Sequence, residues 1–148
     1  MYTLEKELIV NTTKEKAWEF IRNPANLNKI TPDDMAFEIV TDLPEAMFEG
    51  MLVEYRVQIP LLGKQVWVSE LKHIRPFESF VDEQKIGPYK FWYHYHGIEE
   101  AEGGVKLIDR VAYVPPFGVL GKIANALFIG KTLERVFDHR ESAFKQLL

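Results

Sequence analysis

From Phe117 to Leu148 the chain contains no proline, and its apolar residues keep a helical period. At about 100° per residue, Val119, Ile123, Ala126, Gly130, Leu133, Phe137, Phe144 and Leu148 fall in one stripe. The stretch therefore reads as one long helix. Gly121 and Gly130 sit inside it, each costing about 1 kcal/mol relative to alanine, and they let its first half bend. A helix with such a stripe cannot bury it alone, so the preceding residues must supply a concave partner.

Those residues read as a sheet. Tyr2 to Val10 alternates as a first strand. Asn11-Thr12-Thr13 then offers helix-capping side chains, with Glu15 three residues after Thr12 as a capping box has it. Ala17, Trp18, Phe20 and Ile21 make a short helical stripe, and Asn23-Pro24 breaks it and opens a second, carrying Leu27 and Ile30. Strands are then expected at Met35 to Thr41, Met51 to Ile59, Lys64 to Arg75, Ser79 to Ile86, Tyr89 to Glu100 and Val105 to Val114. The intervening segments are mostly short turns rich in glycine and proline, as in an antiparallel meander. The expected fold class is α+β: a seven-stranded antiparallel sheet around a long C-terminal helix, with two short helices between strands one and two. It is expected to form a single domain over 1–148.

The run Pro-Tyr-Lys-Phe-Trp-Tyr-His-Tyr-His at Pro88 to His96 concentrates the chemistry. On a strand, Trp92, His94 and His96 share one face. In the strand before it, Glu83 and Lys85 suit solvent, which leaves Phe80, Asp82 and Gln84 inward. In the last strand, outward Lys106 and Arg110 leave Asp109 inward beside Val111 and Tyr113. Setting Ile86 opposite Lys90 places Gln84 against Trp92, Asp82 against His94 and Phe80 against His96. A four-residue hairpin at Ala101 to Gly104 places His96 against Asp109. Asp82, Gln84, His94, His96 and Asp109 then form one inward polar cluster.

Four chemistries suit that cluster. It can be a hydrogen-bonded ladder, since buried polar groups must be paired. It can be the polar anchor of a ligand cavity. His94 with Asp82 can act as a general acid–base pair. His-x-His with two carboxylates also has metal-ligand types, but without a third fixed spacing no metal is expected. Nothing in the sequence calls for a cofactor: there is no phosphate loop, dinucleotide fingerprint or serine-nucleophile motif. There is no cysteine, which excludes thiolate chemistry. With a formal net charge of −4 and no basic block, nucleic acid is not an expected partner. No apolar run approaches a membrane span and no signal core is visible, so a cytoplasmic protein without stable membrane insertion is expected.

Alternate turns of a meander share one rim. Here these are Pro60-Leu61-Leu62-Gly63, Gly87-Pro88-Tyr89 and Pro115-Pro116-Phe117, all with apolar or aromatic tips. The adjoining Val119 to Ile129 carries Lys122 as its only charge and includes Phe128 off the main stripe. Leu61, Leu62, Pro88, Phe117 and Phe128 are thus expected at a hydrophobic entrance, compatible with a transient membrane or protein contact, in a monomer or a homodimer.

The order of elements is that of the helix-grip fold. Over nearly its whole length the chain resembles the superfamily of the birch pollen allergen, START lipid-transfer domains and bacterial polyketide cyclases (SRPBCC). Phe80-Val-Asp82-Glu-Gln84, Gly87-Pro88, Trp92-x-His94-x-His96, Asp109-Arg-Val-x-Tyr113 and Pro116-Phe-Gly-x-Leu-Gly121 are similar to a bacterial ligand-binding subgroup, some of it loosely labelled cell-division inhibitors. The resemblance implies a hydrophobic or amphipathic small-molecule ligand, lipid-, polyketide- or isoprenoid-like, between sheet and helix. Expected contacts are Tyr55, Trp67, Phe80, Trp92, Tyr113, Ile123 and Phe137 as walls, with the polar cluster as anchor. The alternatives are a cyclase- or hydrolase-like enzyme using His94 and Asp82, and a regulatory protein dimerising through the apolar rim.

Overall fold

The computed structural model describes residues 1–60 and 62–148. Strand β1 (Tyr2–Val10) leads into helix α1 (Lys14–Ile21), followed by two 3-10 turns, Pro24–Lys29 and Asp33–Met35. Strands β2 (Glu38–Ile39), β3 (Met51–Ile59), β4 (Gly63–Arg75), β5 (Ser79–Ile86), β6 (Phe91–Ala101) and β7 (Gly104–Val114) follow. Helix α2 (Gly118–Ala124) runs through a π-helical turn (Asn125–Ile129) into α3 (Gly130–Leu147). The seven strands form one antiparallel sheet in the order β1-β7-β6-β5-β4-β3-β2. Only β1 is out of sequence, closing the far edge against β7 with Tyr2 opposite Tyr113.

The alternation read from the sequence decides the faces. Met51, Val53 and Val57 are buried on β3 while Leu52 is exposed. On β6 and β7, Trp92, His94, His96, Asp109, Val111 and Tyr113 are buried, and Phe91 and Arg110 lie outside. Against this face α3 presents Leu133, Phe137, Arg140 and Phe144. Their spacing of three and four residues is what keeps them on one side of a helix. Apolar packing falls into two clusters. One surrounds Trp18, Met51, Phe80 and Phe144; the other surrounds Val57, Trp67, Trp92, Leu133 and Phe137.

Three local expectations are corrected. The α1 cap is Thr13, whose hydroxyl accepts from the Lys16 amide, so Thr12 and Glu15 do not form a capping box. The stretch Met35 to Thr41 pairs only through Glu38 and Ile39, because Ala36 turns into the left-handed region (φ 42°) and takes the first part out of line. The amides of Val40 and Thr41 both reach the Glu54 carbonyl, which ends the ladder.

The third correction concerns the long helix, whose break is the π-helical turn rather than a glycine bend. A π turn adds one residue to a circuit, so every residue before it is rotated relative to the stripe after it. Upstream, the buried positions are therefore Gly121 and Asn125, while Ile123 is 53% exposed and Val119 72% exposed. Gly121 has a separate task. A Cβ there would collide with the Pro116 carbonyl, so only glycine lets α2 fold back against the end of β7.

Candidate functional site

The site is built on the middle of the sheet. The β5–β6 ladder sets Phe80 opposite His96 and Asp82 opposite His94, and the β6–β7 ladder sets His96 opposite Asp109. His94 lies between two carboxylates, its Nε2 2.8 Å from Asp109 Oδ1 and its Nδ1 3.2 Å from Asp82 Oδ2. His96 Nε2 is 2.9 Å from Asp82 Oδ2. Its ring stacks on Phe80, with centroids 4.2 Å apart and planes within 6°.

Arg140 closes the cluster from the helix. Its Nε donates to Asp109 Oδ2 at 3.0 Å, and a terminal nitrogen lies 3.2 Å from His96 Nδ1. A guanidinium has only donors, so His96 Nδ1 must be the acceptor, and the ring proton sits on Nε2, donated to Asp82. His96 is therefore neutral. Its basicity is lowered by burial first and then by the neighbouring His94 charge, which together outweigh the pull of the two carboxylates beside it. His94 is raised instead: burial opposes its charge, but hydrogen bonds to Asp109 and Asp82 overcome that. For both aspartates burial works against the charge. Hydrogen bonds from His94 and His96 hold Asp82 far below the ordinary carboxylate value, and Arg140 with the two histidines does so for Asp109.

Two carboxylates, one imidazolium and one guanidinium thus sum to zero, as a buried ionic cluster requires if it is not to carry an uncompensated charge. A side branch completes it. Trp67 Nε1 donates to Ser69 Oγ at 3.1 Å, Tyr55 lies 3.3 Å from the same oxygen, and Ser69 donates to Asp82 Oδ1 at 3.3 Å. Ligand-type atoms of Asp82, His94 and His96 lie within 4.8 Å of one another, close enough for a metal. In the arrangement present, the His96 nitrogen facing Asp82 donates a proton and so offers no lone pair.

Space adjoins the cluster. An inner cavity of about 150 Å³ between sheet and helix is bordered by Tyr55, Trp67, Asp82, Trp92, His94, His96, Phe137 and Arg140. A second, of about 210 Å³, lies at the rim among Pro60, Leu62, Pro88, Phe117 and Leu120. Ile59 and Tyr89 border both. Phe80 borders a smaller hollow of about 70 Å³ beside Asp82 and His96.

Some expected contacts lie elsewhere. Asp109 stands behind the histidines and borders none of these three cavities. Tyr113 gives its hydroxyl proton to buried Asn125, tying β7 to the π turn. The β5–β6 pairing ends at Glu83 opposite Tyr93, and the Gln84 amide instead bonds both backbone groups of Tyr89 and braces the β5–β6 turn. Ile123 points to solvent, and Phe128, half exposed, borders neither the inner nor the rim cavity. Leu61 lies outside the described residues. Arg140, Ser69 and Asn125 were missed, and Tyr89, read only as part of a rim turn, borders both cavities. Arg140 had a signal: a cation at helical spacing between Phe137 and Phe144, facing a strand with an inward aspartate.

No family model matches the chain, and no curated protein matches it. Solved structures do. Protein CV1439 from Chromobacterium violaceum superposes with a TM-score of 0.76 at 10% identity, covering 100% of this chain and 98% of that one. A START superfamily protein from Mycobacterium smegmatis gives 0.68 at 13% identity, covering 100% of each. Ara h 8.0201 gives 0.63 at 13%, covering 97% of each. Identities this low speak for architecture alone, and with the order of elements and strands they show that the chain has the helix-grip fold of START-like and birch-pollen-allergen-like proteins.

Proposed function

We propose that the protein binds a hydrophobic or amphipathic small molecule between the sheet and the C-terminal helix, entering from the rim. The observation that carries this reading is the pair of cavities bordered in common by Ile59 and Tyr89. A predominantly apolar hollow with a few fixed polar groups at its inner end is the usual form of a small-molecule site. The rim cavity accommodates the apolar part. Asp82, His94, His96 and Arg140 at the inner end orient whatever polar group the ligand carries.

Catalysis by His94 and Asp82 is disfavoured by the same geometry. A general base must have a free lone pair, and both nitrogens of His94 already face carboxylates. The binding reading is tested with an apolar fluorescent probe, anilinonaphthalene sulfonate, titrated into the protein. Saturable binding is expected, and Ala124→Trp, which fills the rim cavity that Ala124 borders, should weaken it at least about tenfold. Unsaturable binding, or binding indifferent to that substitution, would count against the reading. Native mass spectrometry of protein from its own source should then show a retained lipid or metabolite.

A further inference from the structure

The rim carries a second feature that a ligand entrance does not require. Phe117, Leu120, Ile123, Leu127 and Phe128 are each between 50% and 72% exposed, and Leu62 adds to them from the β3–β4 turn. The rim cavity brings this turn, the β5–β6 turn and α2 together, so these are neighbouring parts of one surface. Exposed apolar side chains concentrated in this way mark a contact surface.

The charges around it are of one sign. Segments 60–65, 86–91 and 115–133 contain Lys64, Lys90, Lys122 and Lys131 and no aspartate or glutamate, in a chain whose formal net charge is −4. Lys64 lies 3.6 Å from Glu38. The other three lysines enter no ion pair among the described residues. Of the acids flanking these segments, Glu70 pairs with Lys85, Glu83 with Lys72 and Lys85, and Asp109 with Arg140, while Glu134 follows the last segment directly and enters no ion pair among the described residues.

We propose that this rim docks the protein on an anionic lipid bilayer. Apolar side chains flanked by lysines match the boundary between acyl chains and charged headgroups, where lysine stems lie along the apolar layer and their ammonium groups reach the phosphates. No helix among the described residues is long and apolar enough to cross a membrane, so α2 and its π turn lie on the surface. A second copy of the chain fits less well. A two-fold contact sets each patch against itself, which would oppose lysine to lysine with no acid within these segments to pair them.

The test is sedimentation of the full chain with vesicles of phosphatidylcholine, alone or mixed with phosphatidylglycerol. Binding is expected to the mixed vesicles only and to weaken as salt is raised. Neutralising Lys90, Lys122 or Lys131 with glutamine should weaken it roughly fivefold per residue. Ile123→Asp and Phe128→Asp should abolish it while circular dichroism stays unchanged, since both side chains are exposed and border neither the rim nor the inner cavity. No sedimentation with the mixed vesicles would overturn the proposal. So would a concentration-dependent dimer, seen by light scattering, that Ile123→Asp dissolves, because the face would then belong to a second copy. Neither result bears on the binding of a small molecule within the cavities, which the probe titration reads separately.

Discussion

Arg140 holds together the charges that the strands bring in. Without it, Asp109 would keep only His94 as a hydrogen-bonded cation, and His96 would lose the donor that fixes its tautomer. Removing one partner of a buried ion pair costs about 3–5 kcal/mol, because the other charge stays behind without compensation. Arg140→Met, which keeps most of the side-chain volume, should therefore destabilise the protein by about that much in urea unfolding. A loss under about 1 kcal/mol would place the guanidinium in the range of an exposed salt bridge and contradict its role here. The strand residues of the cluster were legible from alternation and turn length. Arg140 was only faintly so: its spacing to Phe137 and Phe144 put it on the buried stripe, but its partners are far away in sequence and a lone arginine on a helix is ordinarily solvated.

The C-terminal helix is where the helical period misled. A projection through Val119 to Leu148 at one fixed angle assumes an uninterrupted α-helix, and the π turn at Asn125–Ile129 adds a residue to the circuit. Downstream, Leu133, Phe137 and Phe144 are buried as the period predicts; upstream, Ile123 and Val119 are rotated out. Two contacts set the upstream path: Tyr113 to Asn125, and the Gly121 backbone against Pro116. Gly121→Ala would improve an isolated helix by about 1 kcal/mol. Here it should destabilise by about 1–3 kcal/mol, because the new methyl must push α2 off the Pro116 carbonyl. Thermal unfolding decides the sign, and a raised melting temperature would mean that α2 is not held against β7.

For the molecule as a whole, the two histidines bias stability in opposite directions around their ordinary value of 6.5. Native His96 resists protonation, so its contribution is present above 6.5 and declines as pH falls below it. Native His94 holds its proton, so its contribution is present below 6.5 and declines as pH rises through its raised value. Asp82 and Asp109, both lowered, keep their contribution until pH falls through and below the ordinary 3.8 of a carboxyl. Folding stability should therefore peak near 6.5, the value at which the two histidine slopes change over. Urea unfolding across the range checks this, and His96→Gln should flatten the acid limb while leaving the alkaline one. A monotonic profile through that value would contradict the assignment of one charged and one neutral histidine.

The meander of the strands after β1, the inward faces of β5, β6 and β7, and the meeting of Asp82, His94, His96 and Asp109 were legible in the sequence itself, whereas the place of β1 beside β7 was not. Alternation has a fixed period of two, and short turns leave little freedom of register. Only the tertiary structure decided which helical residues face that cluster, that Gln84 braces a turn instead of joining it, and how much space remains beside it. The brace from Gln84 to Tyr89 is a local contact that strand alternation does not encode, while the first and the last depend on the path of the helix over the sheet. That path is set by contacts between residues distant in the chain, which no local period encodes.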